Sequence, residues 1–177
     1  YASSTNFSTL VGNGAGSAVL ADGIRNTALG YQALNIATSS DNNTAIGYQT
    51  LFSNTTGAQN TAVGDRALTA NITGINNTAS GFLSLTVNTT GSANNAYGRD
   101  ALHFNTTGSF NNAFGNSALR NNVDGNNNLA LGYEAGDNQT SGNNNITIGG
   151  NSIDIASSTG SNQLNIGNLI YGINVDG

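Results

Sequence analysis

The sequence contains no cysteine, proline, methionine or tryptophan, and no lysine. Without cysteine there are neither disulfides nor thiolate metal sites, so the chain must draw its stability from backbone pairing and packing. Charge is scarce as well: 7% of residues carry one, against roughly 25% in an average globular protein. Disordered chains of low hydrophobicity resist collapse through high charge, and that charge is missing here, so the chain reads as folded. Eight Asp and Glu134 face only Arg25, Arg66, Arg99 and Arg120, a net charge of -5. Four cations are too few to neutralise a phosphate backbone, which argues against nucleic acid as a partner. No run approaches the roughly 18 apolar residues of a membrane-spanning helix, so no direct membrane insertion is expected. Residues 1–10 have neither the basic nor the apolar segment of a signal peptide, and the chain reads as a processed or truncated piece.

What the sequence has in abundance is self-similarity. The segments N-T-A-L-G-Y-Q-A-L (26–34), N-T-A-I-G-Y-Q-T-L (43–51), N-T-A-V-G-D-R-A-L (60–68) and N-T-A-S-G-F-L-S-L (77–85) are followed by N-N-A-Y-G-R-D-A-L (94–102) and N-N-A-F-G-N-S-A-L (111–119). A motif glycine recurs at a constant period of seventeen, at Gly30, Gly47, Gly64, Gly81, Gly98, Gly115, Gly132 and Gly149. A second turn signal lies between motifs, as N-T-T-G at 54–57, 88–91 and 105–108 and as N-I-T-G at 71–74. The 177 residues form a single repeat domain, with regular coils over about 26–149 and atypical end coils at 9–25 and 150–172. At both ends the period grows by one, from Gly12 to Gly30 and from Gly149 to Gly167, as terminal coils of a repeat array often do.

Seventeen residues cannot hold a helical hairpin of the usual repeat families, and glycine twice per repeat weakens any helix laid across it. Two strands of about five residues joined by two glycine turns do fit. The expected fold is therefore all-β: a parallel β-solenoid, or β-roll, of about ten seventeen-residue coils stacked at about 4.8 Å, roughly 45 to 50 Å long. Equivalent positions then form ladders. Leu34, Leu51, Leu68, Leu85, Leu102 and Leu119 make an apolar spine, each burial contributing about 1.5 to 3 kcal/mol. Ala28, Ala45, Ala62, Ala79, Ala96 and Ala113, with Ala130, keep one line thin. Asn26, Asn43, Asn60, Asn77, Asn94, Asn111 and Asn128 form one amide column, and Asn54, Asn71, Asn88, Asn105 and Asn122 another; both suit amide ladders and left-handed turn geometry. The motif glycines supply the positive φ at which a Cβ clashes. Strand alternation places Thr44 and Ile46 on one face and Ala45 on the other. The terminal Ile146 and Ile148 favour the Thr/Ile face as core, with the Ala column turned toward a neighbour; the reverse assignment is the alternative.

So slim a rod has little interior, and Tyr31, Tyr48, Phe82 and Tyr133, each one position after a motif glycine, leave much aromatic surface exposed. Association is the expected remedy, as a three-fold bundle around a small-residue face. The same aromatic positions are candidates for a subunit contact or for stacking on a ligand such as a sugar.

The motif N-T-A-I-G resembles the N-S-V-A-I-G motif of YadA-type trimeric autotransporter heads, which form a left-handed parallel β-roll from a shorter repeat. The A-I-G-Y-Q-T-L and A-L-G-Y-Q-A-L steps with N-T-T-G connectors are more similar to the shafts of phage tail-fibre-like and bacterial surface proteins that carry a C-terminal intramolecular chaperone of the peptidase S74 type. S-N-Q-L-N-I-G-N-L-I-Y-G (161–172) resembles the stretch before their distal segment. The likeness spans about residues 9–172, and it implies a homotrimer located outside the cell, on a cell surface or as a virion fibre.

Catalysis is not expected. His103 is the only histidine and reads as a solvated connector residue; with no Cys and a single Glu, Glu134, a nucleophile and base would depend on His103 and a chance Asp. Asp41, Asp65, Asp100, Asp124 and Asp137 fall at five different repeat positions, whereas calcium-binding rolls need an Asp in each coil. No metal site and no cofactor are therefore assigned. The N-x-S/T tripeptides at Asn54, Asn71, Asn88 and Asn105 read as products of composition rather than glycosylation sites. Thr27, Thr44, Thr61 and Thr78, with Thr55, Thr89 and Thr106, resemble the hydroxyl arrays of ice-binding solenoids, but the first column passes to Asn95, Asn112 and Leu129 and the second is broken at Ile72 and Val123. The expected function is an extracellular structural or adhesive fibre segment that presents, or contributes to, binding of a host-surface glycan or protein receptor. The alternatives are a filament subunit that joins end to end without a receptor and, third, an ice-binding solenoid.

Overall fold

The structure, a computed structural model, describes residues 2–3, 7–18, 23–150 and 155–167. Parts of the expected end coils, at 19–22, 151–154 and 168–172, lie outside the described residues. Eleven strands follow in chain order: β1 (Ala2–Ser3), β2 (Ser8–Val11), β3 (Thr27–Leu29), β4 (Thr44–Ile46), β5 (Thr61–Val63), β6 (Thr78–Ser80), β7 (Asn95–Tyr97), β8 (Asn112–Phe114), β9 (Leu129–Leu131), β10 (Ile146–Ile148) and β11 (Leu164–Ile166). They form one sheet in sequence order. From β2 to β11 every pairing is parallel, and β1 alone pairs antiparallel, with β2. Ten parallel strands in sequence order, joined by connections of nearly equal length, are a solenoid of nine turns. Registers repeat without slip: Ala28 faces Ala45, Ala45 faces Ala62, and so on to Ala130.

Each coil contains one short strand, of three residues in β3 to β11 and four in β2, not the two five-residue strands expected. The second limb is a run of turns, and the reason lies in its dihedrals. Gln49 and Leu51 have φ of 49° and 51°, and their equivalents Arg66 and Leu68 have 53° and 52°. A left-handed residue at alternate positions bends the backbone away from the extended form, so the pleat cannot propagate. Hydrogen bonds still run along the axis: Leu51 N donates to Ala67 O at 3.1 Å and Ser53 N to Thr69 O at 2.9 Å. Backbone groups on this side are satisfied by neighbouring coils even where no strand exists.

The core face is also the reverse of the one favoured by the sequence. Ala28, Ala45, Ala62, Ala79, Ala96, Ala113 and Ala130 are fully buried, whereas the Thr/Ile face of each strand points outward, half-buried or exposed. The coils of β4 to β8 each enclose one Leu and two Asn amides, and the residue opposite them carries only a methyl group. The alanines therefore line the interior and cannot form a small-residue contact with another chain.

All six ladder leucines are fully buried, beside a second column of small residues at Ala33, Thr50, Ala67, Ser84, Ala101, Ala118 and Ala135. Where that column carries a hydroxyl, it bonds a turn carbonyl: Thr50 Oγ1 donates to Gly64 O at 2.8 Å and Ser84 Oγ to Gly81 O at 3.0 Å. The two Asn columns complete the interior. In the first, each side-chain oxygen accepts the backbone N–H of the next Asn, as Asn60 Oδ1 does from Asn77 N at 2.9 Å. In the second, each amide donates to the one before it, as Asn88 Nδ2 does to Asn71 Oδ1 at 2.9 Å. Both columns meet on one acceptor per coil: Gly91 O receives Asn77 Nδ2 at 2.9 Å and Asn88 Nδ2 at 3.0 Å. Left-handed geometry falls not on these buried amides but on the exposed residue preceding the first column, such as Asn42, Asn76, Asn127 and Asn144, with φ of 57° to 58°.

Glycine is required for two different reasons. At Gly81 φ is +142°, and a Cβ there would sit 2.6 Å from the carbonyl carbon of Gly98 in the next coil. At the connector Gly57 the φ is ordinary for any residue, yet a Cβ would lie 2.5 Å from Gly74 O and 2.6 Å from Asn71 Nδ2. The first glycine answers to conformation and space, the second to space alone.

The longer step at the N-terminal end closes the array by exchanging sizes. Leu10 occupies the Ala position of β2, paired with Ala28, and Gly16 stands where later coils carry Leu. A Cβ on Gly16 would lie 2.6 Å from Leu10 Cδ1, so the leucine fills the volume that the missing leucine vacates.

Candidate functional site

Function must reside on the outer surface, because the interior is filled by Leu, Ala and amides. Three outward features stand out. The first is a stripe along the strand face, at the residue before each motif glycine: Val11, Leu29, Val63, Tyr97, Phe114 and Leu131 are 37 to 51% exposed, with half-buried Ile46, Ile148 and Ile166 in the same line. Tyr97 and Phe114 stack at 5.1 Å with ring planes 7° apart. The sequence conceals this stripe because apolar Ile46 reads as core. The signal that points to it is the alanine between Thr44 and Ile46: alanine at the same position of seven successive coils, from Ala28 to Ala130, marks the crowded side of a thin coil.

The second feature is the set of aromatics after the glycine. Tyr31, Tyr48, Phe82 and Tyr133 are 40 to 49% exposed, but the fold does not bring them into one surface. Tyr31 and Tyr48 stack at 5.4 Å. Phe82 is two repeats further on and Tyr133 three more, separated by Asp65, Arg99 and Asn116 in the same column. Arginines lie over two of the rings: the Arg66 guanidinium carbon is 5.6 Å from the centre of Tyr48 and that of Arg99 is 5.8 Å from Phe82. Such contacts contribute about 0.5 to 1 kcal/mol when exposed.

The third is a concentration of charge on the turn limbs after β7, β8 and β9. Arg99 Nε lies 3.1 Å from Asp100 Oδ2, and His103 Nδ1 lies 3.5 Å from Asp100 Oδ1. His103 is not the solvated connector expected: its side chain is only 16% exposed, Nδ1 is 3.2 Å from Leu83 O, and its ring meets Phe104 edge-on at 4.5 Å. A hydrogen bond to the Glu134 carboxylate, with its negative charge, raises the Tyr133 phenol above its usual value of 10.0, so that phenol stays neutral throughout the physiological range. Among the described residues no three His, Asp or Glu side chains converge as a metal would need.

The connector hydroxyl column is engaged locally. Thr55, Thr89 and Thr106 each donate to the carbonyl of the equivalent residue one coil on, at 3.0 to 3.1 Å. At Asn54, Asn71, Asn88 and Asn105 the amides are wholly buried in the ladder, where a glycan has no room. Comparison with protein-family models, with curated proteins and with solved structures gives no match.

Proposed function

We propose that the chain is a segment of an extracellular structural or adhesive fibre, the shaft or head of a trimeric surface adhesin or tail-fibre-like protein that holds or contributes a receptor-binding surface. The observation that carries this reading is the apolar stripe on the strand face. It recurs in nearly every coil over the nine turns between β2 and β11, about 43 Å at strand spacing, more contiguous apolar surface than an ordinary monomer leaves in water. Its periodicity also selects the partner. Only a surface with the same axial repeat meets every residue of the stripe in register, and a further copy of this chain has that repeat.

Three copies, each offering its stripe to a common axis, bury Leu29, Val63, Phe114 and Leu131 while leaving the turn limbs outside. The contact thus differs from the alanine-lined one that the sequence suggests. Light scattering coupled to size exclusion tests it: the expected mass is three times the 17.9 kDa of the chain, and Val63→Asp combined with Phe114→Asp is expected to yield folded monomer. A monomer for the unaltered chain in dilute buffer contradicts the reading.

A second reading, end-to-end growth into filaments, is supported by β11, which among the described residues pairs only with β10 and so presents a strand edge. Electron micrographs separate the two, as short rods in the first case and long filaments in the second.

A further inference from the structure

Five of the chain's thirteen charged residues, Arg99, Asp100, Arg120, Glu134 and Asp137, line one recess of about 290 Å³ on the turn side of the rod. Its origin is a step in side-chain size. In the turn after β8 the two residues following the glycine are Asn116 and Ser117, whereas the same positions one coil before and one coil after hold Arg99–Asp100 and Tyr133–Glu134. Flanking coils stand about 9.6 Å apart, twice the strand spacing, so the long side chains form walls above and below a floor of short ones.

We propose that this recess binds a neutral carbohydrate. Its volume lies at the small end of ligand sites, suited to one or two sugar rings. The polar groups are of both kinds: the guanidiniums of Arg99 and Arg120 only donate, the carboxylates of Glu134 and Asp137 only accept, and the Asn116 amide does both. A sugar hydroxyl also donates and accepts, and so uses such a mixed lining where a purely anionic or cationic ligand uses half of it. The balance of charge, two positive against three negative, disfavours sulfated or carboxylated sugars. Asp100 already neutralises Arg99, at 3.1 Å. Tyr133 lines the recess as well, and its phenolic hydroxyl can both donate and accept.

The proposal deepens the fibre reading by giving its outer face a ligand class, and it rests on that reading only for the setting in which the sugar is met. The recess lies on the turn limbs, away from the strand-face stripe, so ligand and subunit contact do not compete.

The test uses the full chain on an array of immobilised neutral, amino and acidic oligosaccharides, with two variants chosen to keep the fold. Asn116→Tyr fills the floor with the residue that the same column carries at Tyr31, Tyr48 and Tyr133, and Glu134→Gln installs the residue found at Gln32 and Gln49. The expected result is retention on at least one neutral oligosaccharide, weakened at least about tenfold in each variant, the scale of one lost charged hydrogen bond. Melting temperature and mass should stay unchanged. Binding to no neutral sugar, binding to acidic sugars only, or undiminished binding by both variants overturns the site. Mass measured on the same samples separates the two claims. A trimer without sugar binding removes the carbohydrate site alone, and a monomer with recess-dependent binding removes the trimer alone.

Discussion

Two neighbouring asparagines show how differently the same residue type serves this fold. Asn76 is exposed with φ of 58°, while Asn77 is fully buried, its oxygen accepting from Asn94 N at 3.0 Å and its amide donating to Gly91 O at 2.9 Å. Replacing Asn77 by Ala leaves a buried N–H and a buried carbonyl short of partners, a loss of about 2 to 4 kcal/mol. Replacing Asn76 by Ala costs under about 1 kcal/mol, since Ala93 already occupies that column with φ of 57°. Denaturant titration of the two variants measures the difference. The amide ladders are legible in the sequence because an asparagine recurring once per repeat, from Asn26 to Asn145 in one column and from Asn54 to Asn122 in the other, needs a fixed partner. The left-handed residue beside them is less so, although its signal is present in the doublets Asn42–Asn43, Asn76–Asn77, Asn127–Asn128 and Asn144–Asn145. Leu51 at φ of 51° has no such signal: leucine rarely adopts that conformation, and burial within the coil outweighs the cost.

At the scale of the element, the repeat is the unit of structure. Removing residues 61–77, one whole repeat, joins Asn60 to Thr78 and restores every column, so the shortened chain is expected to melt cooperatively only slightly below its parent. Removing only 61–69 is expected to be the more damaging change although it removes less, because Asn60 then joins Ala70 and the Leu and Asn columns lose register. Thermal melts followed by circular dichroism distinguish the outcomes. The period, the parallel stacking and the two longer end steps are all readable, since Gly30 to Gly149 and the end spacings fix which residues lie above one another. Strand length is not. The pattern allots strand to both limbs, and Gln49 and Leu51 turn one of them into successive bends. The inner face is misread for a related reason: large apolar side chains ordinarily mark the core, whereas in a coil this narrow Ala45 fits inside and Ile46 does not.

For the whole molecule, the consequence of a thin interior is an apolar exterior. Phe114 and Leu131 stay exposed because each coil has no further volume to receive them, and burial between chains is the remaining route out of water. In the proposed function the strand face is the side for assembly and the turn limbs the side for ligands. The charged recess is not visible in the sequence as a site. Arg99, Asp100, Arg120, Glu134 and Asp137 are scattered over three repeats, and only stacking the coils shows that they border one step in side-chain size.

All of this depends on each repeat advancing the chain by one strand spacing. Spin labels on the outward-facing column that contains Ser39, Thr56, Asp124 and Ser141 measure that advance directly, with labelled chain diluted in unlabelled chain so that only distances within one molecule are read. Thr56 and Asp124 are four repeats apart, Ser39 and Asp124 five, and Ser39 and Ser141 six. The expected separations are about 19, 24 and 29 Å, rising linearly at about 4.8 Å per repeat. Separations that do not increase with repeat number, or that increase by a different step, contradict the stacked coil and every role assigned to its faces.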